Sequence, residues 1–508
     1  MLARARTFTI EGLHARAVRV EIDIRPGLPA FTIVGLADAA VREARDRVHA
    51  AVLNSGYEFP TRRITASLAP ADVPKVGPGF DLALACGVLA ASGQIPPELL
   101  ETHALFGELS LDGEVRACHG TLAVAEATRK AGLAMLVIGP TRAREATLVD
   151  GLAVGVVDRL SSAVRVLRGG APDPLPEPSH TPMNRTRQSL DLSDVRGQPE
   201  AVMALVAAAA GAHNSLLSGP PGTGKTMLAQ RLPSILPPLE PSEAIEVMRI
   251  HSITGKLTGD ELPTQRPFRA PHHSITTAGL IGGARRGWVG EVVFAHNGVL
   301  FLDELSEFAR PALEALRQPL EDGRVTIVRA RHSAIYPTRF MLMGATNPCP
   351  CGYAGEDERC SCREADLARH RRRLSGPLLD RMDLLVHVGR TTTGNLDGEP
   401  STSSAQARAQ VIEARERQAR RLRAEGILVN AQMDASMLRR HVKLDAQGER
   451  MLTHTRERGL LSMRGQHRAL RLARTLADLR GSEHIEVEDI SRALVLRPES
   501  GLSRRLTA

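Results

Sequence analysis

The spacing of hydrophobic residues changes along the chain, and the changes mark out its elements. Val18, Val20, Ile22 and Ile24 alternate with Arg19, Glu21 and Asp23, the two-residue repeat of a half-buried strand. Residues 38–55 switch to helical spacing: Val41, Ala44, Val48 and Val52 share one face, and Gly56 suits a left-handed stop. Residues 105–110 and 114–117 flank Leu111, Asp112 and Gly113, a hairpin signal. A second helix is predicted over 119–131, closed by Gly132, and a short buried strand over 135–138. Further on, three apolar runs (215–217, 299–302 and 340–343) each lead into a polar loop, with helical segments between them. That order predicts a parallel sheet with ligands at the carboxyl ends of its strands. Beyond residue 391 the pattern is almost wholly helical, over 405–425, 445–458, 464–480 and 487–494.

Two stretches interrupt these patterns. Residues 169–193 carry five prolines between Pro172 and Pro182, which excludes helix and central strand. Residues 391–404 are polar and rich in Gly, Ser and Thr. They divide the 508 residues into an N-terminal α+β domain (1–168), a middle α/β domain (194–390) and a C-terminal helical domain (405–508).

Composition narrows the function classes. No apolar run approaches the ~18–20 residues needed to cross a bilayer, and the N-terminus lacks the apolar segment of a signal peptide. A cytoplasmic protein with no membrane partner is expected. The net charge of +8 permits an acidic partner such as DNA without demanding one. Only five of the 65 basic residues are lysines, so single arginines carry little information. Aromatic residues make up 3%, which argues against a base-stacking platform for single strands.

The strongest local chemistry lies at Gly219, Pro220, Pro221, Gly222, Thr223, Gly224, Lys225 and Thr226, a complete G-x-x-x-x-G-K-[ST] loop between a strand and a helix. Glycines let backbone N–H groups turn toward phosphate oxygens, and the helix adds its N-terminal amides. Lys225 is expected to reach the β- and γ-phosphates of ATP, and Thr226 to ligate Mg²⁺. The run Val299, Leu300, Phe301, Leu302 ends in Asp303 and Glu304. Asp303 is expected to hold Mg²⁺, directly or through water, and Glu304 to polarise the attacking water. The competing reading is an acidic helix cap. Asn347 ends the third apolar run, where an amide can bond the γ-phosphate and the lytic water; a turn asparagine is the alternative.

Cys349, Cys351, Cys360 and Cys362 form two C-x-C pairs eight residues apart, a spacing that suits a structural zinc site; reduced cysteines on a loop are the alternative. His272 and His273 are adjacent, which disfavours a shared metal. The run 369–373 (RHRRR) reads equally as a phosphate-facing or a solvated helix face. Helix 405–423, with six arginines, reads as a surface helix.

These parts, in this order, resemble an AAA+ ATPase, and more closely the magnesium-chelatase-like ComM/YifB family. The segments that carry the resemblance are PFRAPHHSITTAGLIGG from Pro267, GEVVFAHNGVLFLDELSEF from Gly290, LRQPLEDG from Leu316, ATNPCPCG from Ala345, SGPLLDRMDL from Ser375 and LSMRGQHRALRLARTLADL from Leu461. The resemblance implies an AAA+ P-loop sheet with a helical lid, assembled as a homo-oligomeric ring, usually a hexamer. Its sites would lie between subunits, with Arg381 supplied by the neighbour as an arginine finger and Arg464, or Arg468 one turn later, as the lid's sensor. Segment 269–286 and the hairpin 324–339 would face the pore. It further implies a motor on branched or double-stranded DNA, a branch-migration helicase serving recombination and natural transformation. The N-terminal domain is similar to the Lon-protease fold, but residues 77–81 carry no serine at the stretch of the nucleophile, and 120–123 no lysine. Nucleophilic catalysis needs both. The rival reading is a chelatase-type ATPase that remodels a protein partner; the companion motif D-x-S-x-S is absent from this chain.

Overall fold

The computed structural model describes residues 1–177, 190–257, 261–283, 289–329, 332–354, 359–374, 376–390, 402–458 and 461–497. The chain divides into two compact units: Met1–Arg185 with Ile245–Leu262, and Thr186–Ala244 with Pro263–Ala508. The middle and C-terminal domains expected from sequence thus fall in one unit, and a segment from within the middle domain counts with the N-terminal one. The centre of the first expected linker and most of the second lie outside the described residues.

The first unit is built on a seven-stranded mixed sheet. Its strands run, in spatial order, Ala30–Val34, Arg63–Ala69, His14–Arg25, Leu2–Glu11, His103–Phe106, Met135–Ile138 and Ala153–Val156. Leu2–Glu11 and His14–Arg25 form an antiparallel hairpin from Leu2↔Asp23 to Glu11↔His14. The predicted alternation sends Val18, Val20, Ile22 and Ile24 inward. Helix Ala39–Asn54 starts where Asp38 Oδ1 accepts from Val41 N at 2.9 Å, a side-chain N-cap. Helix Asp81–Ala91 is buried on every side, so its sequence is apolar all round. The predicted hairpin forms only over Glu108–Leu109 and Val115–Arg116; Leu105 and Phe106 pair instead in the main sheet, beside Met135–Ile138. In the stretch compared with a protease nucleophile, Gly79 lies against the Phe106 ring, where a Cβ would come within 2.4 Å. Asp81 there is buried and accepts two bonds from Arg47, at 2.7 and 3.0 Å. Burial pushes its carboxyl up to about 6 against the pull of that guanidinium.

The second unit carries a five-stranded parallel sheet in the order Phe268–Arg269, Val299–Leu302, Met341–Thr346, Ser215–Ser218, Leu384–His387. This α/β arrangement fits an AAA+ P-loop sheet. Parallel pairing buries the strands on both faces, which explains their unbroken apolar runs. Ser215–Ser218 lies between Met341–Thr346 and Leu384–His387, so the loop that follows it opens among the ends of its neighbours.

The helices after residue 402 share the sheet's core. Ser404–Leu422 buries Ala407, Val411, Ala414, Gln418 and Leu422 and packs against Pro199–Gly211, Lys225–Ile235 and Met463–Arg480. It is therefore not the surface helix its arginines suggested. Arg415 donates to the Ala209 carbonyl at 2.7 and 3.0 Å, Arg417 to the Asp478 carbonyl at 2.9 Å, and Arg421 to both Asp478 oxygens. Long aliphatic stems let guanidiniums lie along a buried seam while bonding carbonyls. Among the described residues no helix is long and apolar enough to cross a membrane.

Candidate functional site

The site forms where three parallel strands end together. Gly222 and Gly224 adopt φ of +76° and +87°, values at which an L side chain is strained. Gly219 is held for another reason: a Cβ there would lie 2.0 Å from the Val388 carbonyl oxygen. Residues 219–224 curl back over the start of helix Lys225–Ile235, and Lys225 Nζ donates to the carbonyls of Gly219 and Pro220, each at 2.7 Å. The same ammonium donates to Asn347 Oδ1 at 3.1 Å. Burial lowers the Lys225 pKa, and Asp303 opposes the shift.

Thr226 Oγ1 donates to Asp303 Oδ2 at 2.7 Å, which joins the phosphate loop to the acidic strand end. Asp303 Oδ1 accepts from Glu304 N at 2.9 Å. Glu304 takes a left-handed φ of +50°, rare for a residue with a Cβ. The turn lets consecutive carboxylates diverge: Asp303 faces Thr226, while Glu304 Oε2 lies 3.3 Å from His273 Nδ1. Lys225, Asp303, Glu304, Asn347, Cys349 and His370 help line a cavity of about 210 Å³.

The expected residues thus separate into two groups. Lys225, Thr226, Asp303, Glu304 and Asn347 come together. Arg381 and Arg464 are not among the residues lining the cavity. Arg381 pairs with Glu321, and its pKa is lowered by burial and by Arg317, Arg468 and Arg464. Arg468 is tied to the Met382 carbonyl at 3.4 Å and to Asp383 at 3.7 Å, whereas Arg464 is exposed.

Sequence reasoning missed two histidines. His273 follows strand Phe268–Arg269, whose parallel neighbour Val299–Leu302 delivers Glu304; the shared register brings their ends side by side. His370, in the basic run, is buried and its Nε2 contacts the Asn347 carbonyl at 3.0 Å. Arg373 in that run meets Glu307 at 3.3 Å. Arg369 pairs with Asp366 at 3.8 Å. The run is thus anchored on one side rather than uniformly basic. Of the two segments expected to face a pore, Arg269 is engaged by Glu291 at 2.6 Å, and Arg286 lies outside the described residues. The predicted hairpin forms from Arg324–Arg329 and His332–Pro337, with Val328 and Ile335 exposed.

The four cysteines of the double C-x-C converge. Their Sγ atoms all lie within 4.8 Å of one another, with Cys349 to Cys351 at 3.3 Å, Cys349 to Cys360 at 3.9 Å and Cys351 to Cys360 at 3.7 Å. A tetrahedral zinc–thiolate centre with bonds of about 2.3 Å has sulfur–sulfur edges of about 3.8 Å. The donor set therefore fits zinc, and its separations are far beyond the ~2.05 Å of a disulfide.

Comparison with known proteins agrees with this geometry. Family models described as magnesium chelatase subunit ChlI, subunit ChlI of Mg-chelatase, and the C-terminal part of that subunit match residues 191–396, 20–142 and 401–497. An uncharacterized protein of Mycobacterium tuberculosis is 45% identical over 503 residues, 98% of each chain. YifB of Escherichia coli is 40% identical over 489 residues, 96% of this chain and 95% of its own. Competence protein ComM of Haemophilus influenzae is 40% identical over 502 residues, 98% of this chain and 97% of its own. A shorter likeness, 28% over 193 residues, is to Lon protease 2 of Bacillus subtilis, covering 33% of this chain and 35% of that one. With a phosphate loop facing paired carboxylates and relatives matched end to end, the chain belongs to the ComM/YifB family of magnesium-chelatase-like AAA+ proteins.

Proposed function

We propose that the protein is an ATP-hydrolysing ring motor that acts on branched or double-stranded DNA, a branch-migration helicase of recombination and natural transformation. The observation that carries the ATPase reading is the convergence of Lys225, Asp303, Glu304 and Asn347 on one cavity, with Thr226 bonded to Asp303 beside it. Thr226 and Asp303 would hold Mg²⁺, which neutralises phosphate charge when bound. Lys225 exchanges its bonds to loop carbonyls for phosphate oxygens. Asn347 orients water at the γ-phosphate, and Glu304 accepts that water's proton. Arg381 completes the site of a neighbouring copy, and Arg464 reports the nucleotide to the lid. A structural zinc ion occupies the four thiols. The name of the Haemophilus relative, a competence protein, supports the DNA side of the reading. The N-terminal unit is a Lon-like fold without the protease pair, used for assembly or DNA contact.

The test is the ATPase rate of the full chain alone and with branched DNA, single strands or casein. Stimulation by branched DNA several-fold above the basal rate is expected. Equal rates under all conditions would favour the chelatase-like reading instead, in which the motor remodels a protein partner. Casein cleavage would mark an active protease.

A further inference from the structure

The polar excursion that begins two residues after Asn347 meets the surroundings of the nucleotide cavity at three places. The first is Cys349, fully buried, whose residue forms part of the cavity wall. The second is Gly352, beside Cys351. It has φ of +87° and lies against the phosphate loop, where a Cβ would come within 2.5 Å of Pro221 Cδ and 2.7 Å of Pro221 Cγ. The third is helix Glu364–Arg373, which starts two residues after Cys362 and returns His370 to the Asn347 carbonyl at 3.0 Å. Asn347 is thus gripped from both sides, by Lys225 through its side chain and by His370 through its carbonyl.

We propose that a zinc ion held by Cys349, Cys351, Cys360 and Cys362 clamps the phosphate loop and Asn347 in their nucleotide-binding arrangement, so that ATP affinity depends on this metal. The proposal rests on the nucleotide reading above. Four thiolates drawn to one ion fix Cys349 and Cys351, and with them the wall behind Asn347 and the contact of Gly352 with Pro221. They also fix Cys362, and so the entry of the helix that carries His370. Without the ion the thiols repel or rotate apart and the excursion relaxes. Pro221 then loses its neighbour, and Asn347 loses the support that aims its amide. The ion itself touches no nucleotide; its role is to position.

The experiment uses the full chain. Zinc content is measured by elemental analysis, and affinity for a fluorescent ATP analogue is measured in Mg²⁺ before and after a zinc-selective chelator, then after zinc is restored. About one zinc per chain is expected, with affinity about tenfold weaker when stripped and recovered on restoration. Gly352→Ala keeps all four thiols; full zinc content with affinity weakened about as much supports the contact with Pro221 as the route. Zinc below about half an equivalent, or affinities within about twofold of each other, overturns the proposal. A stripped chain that loses its far-UV circular dichroism overturns it too, because the metal would then hold the fold rather than the cradle. A zinc-loaded chain that binds no nucleotide overturns the ATP reading and this proposal together. A loaded and a stripped chain that bind equally well overturn this proposal alone.

Discussion

Glu304→Gln is expected to lower the steady-state ATPase rate by about 10²–10⁴-fold, the usual worth of a positioned general base, while nucleotide affinity stays within about threefold of the parent. The substitution is isosteric and changes only the ability to take a proton. The groups that grip nucleotide are elsewhere: Lys225 bonds the loop carbonyls and Asn347, and Thr226 bonds Asp303. Glu304 shares none of these bonds. Its side chain is 60% exposed and lies 3.3 Å from His273 Nδ1. The Glu304 N–H still donates to Asp303 Oδ1, a bond the substitution leaves untouched. Loss of rate with retained binding is therefore the signature of a group used only in the chemical step. Turnover at the parent rate would remove Glu304 from the mechanism, and loss of binding in step with rate would make it a structural residue. Asp303→Asn differs in kind: it weakens the bond from Thr226 and the divalent-ion ligand at once, so affinity and rate fall together.

The parts of the site that were legible in the sequence are those whose chemistry is local. A loop that cradles phosphate needs glycines at positive φ within a few residues of a lysine, and Gly222, Gly224 and Lys225 announce it unaided. Asp303 and Glu304 were legible because Val299–Leu302 is a parallel strand buried at all four positions, so two carboxylates directly after it stand out. His273 and His370 were not, because their meaning depends on which strand lies beside which. Nothing near residue 273 in the chain says that its strand pairs with Val299–Leu302. The helix Ser404–Leu422 misled for the opposite reason. Its composition suggested a solvated face, but the arginines are consumed by carbonyls and by Asp478 along a buried seam. The hairpin around Gly113 was correctly sited but too long, since Leu105 and Phe106 gain more from the central sheet than from a two-stranded ribbon. Arg381 could not be chosen among sixty arginines without the family strings; what sets it apart in the fold is its company, three further guanidiniums and one glutamate.

Asp478→Ala is expected to cost about 3–5 kcal/mol of stability, the range for removing one partner of a buried ion pair, and to lower the melting temperature of the full chain by about 3–5 °C. Asp478 is 1% exposed and serves as the common acceptor for three elements of the second unit. Its Oδ1 takes bonds from Arg421 at 2.8 Å and Arg474 at 3.0 Å, and its Oδ2 from Arg421 at 2.6 Å and Asn430 at 2.8 Å. Arg421 comes from helix Ser404–Leu422, Asn430 from the turn that follows, and Arg474 from the same helix as Asp478, Met463–Arg480. Removing the carboxylate takes the charge partner from the Arg474 guanidinium, 2% exposed, which keeps the carbonyls of Ser482 and Glu483, and from that of Arg421, which keeps Asn430 Oδ1. Asp478→Asn keeps an acceptor but no charge and should fall between. The exposed pair Arg492–Glu488, at 2.6 Å with side chains 53% and 67% exposed, supplies the contrast. Arg492→Ala there is expected to cost no more than about 0.5 kcal/mol, because solvent screens both partners. Chemical unfolding of the three variants beside the parent measures the difference. Equal losses at Asp478 and Arg492 would show that the buried hub does not hold these helices together. A large loss at Asp478 alone, with ATPase falling alongside it, follows from the continuity of that hub with the site. Asn430 Nδ2 also bonds Thr475 Oγ1 at 3.0 Å, Thr475 bonds His213 at 2.8 Å, and the next residue, Asn214, leads into the strand that carries the phosphate loop.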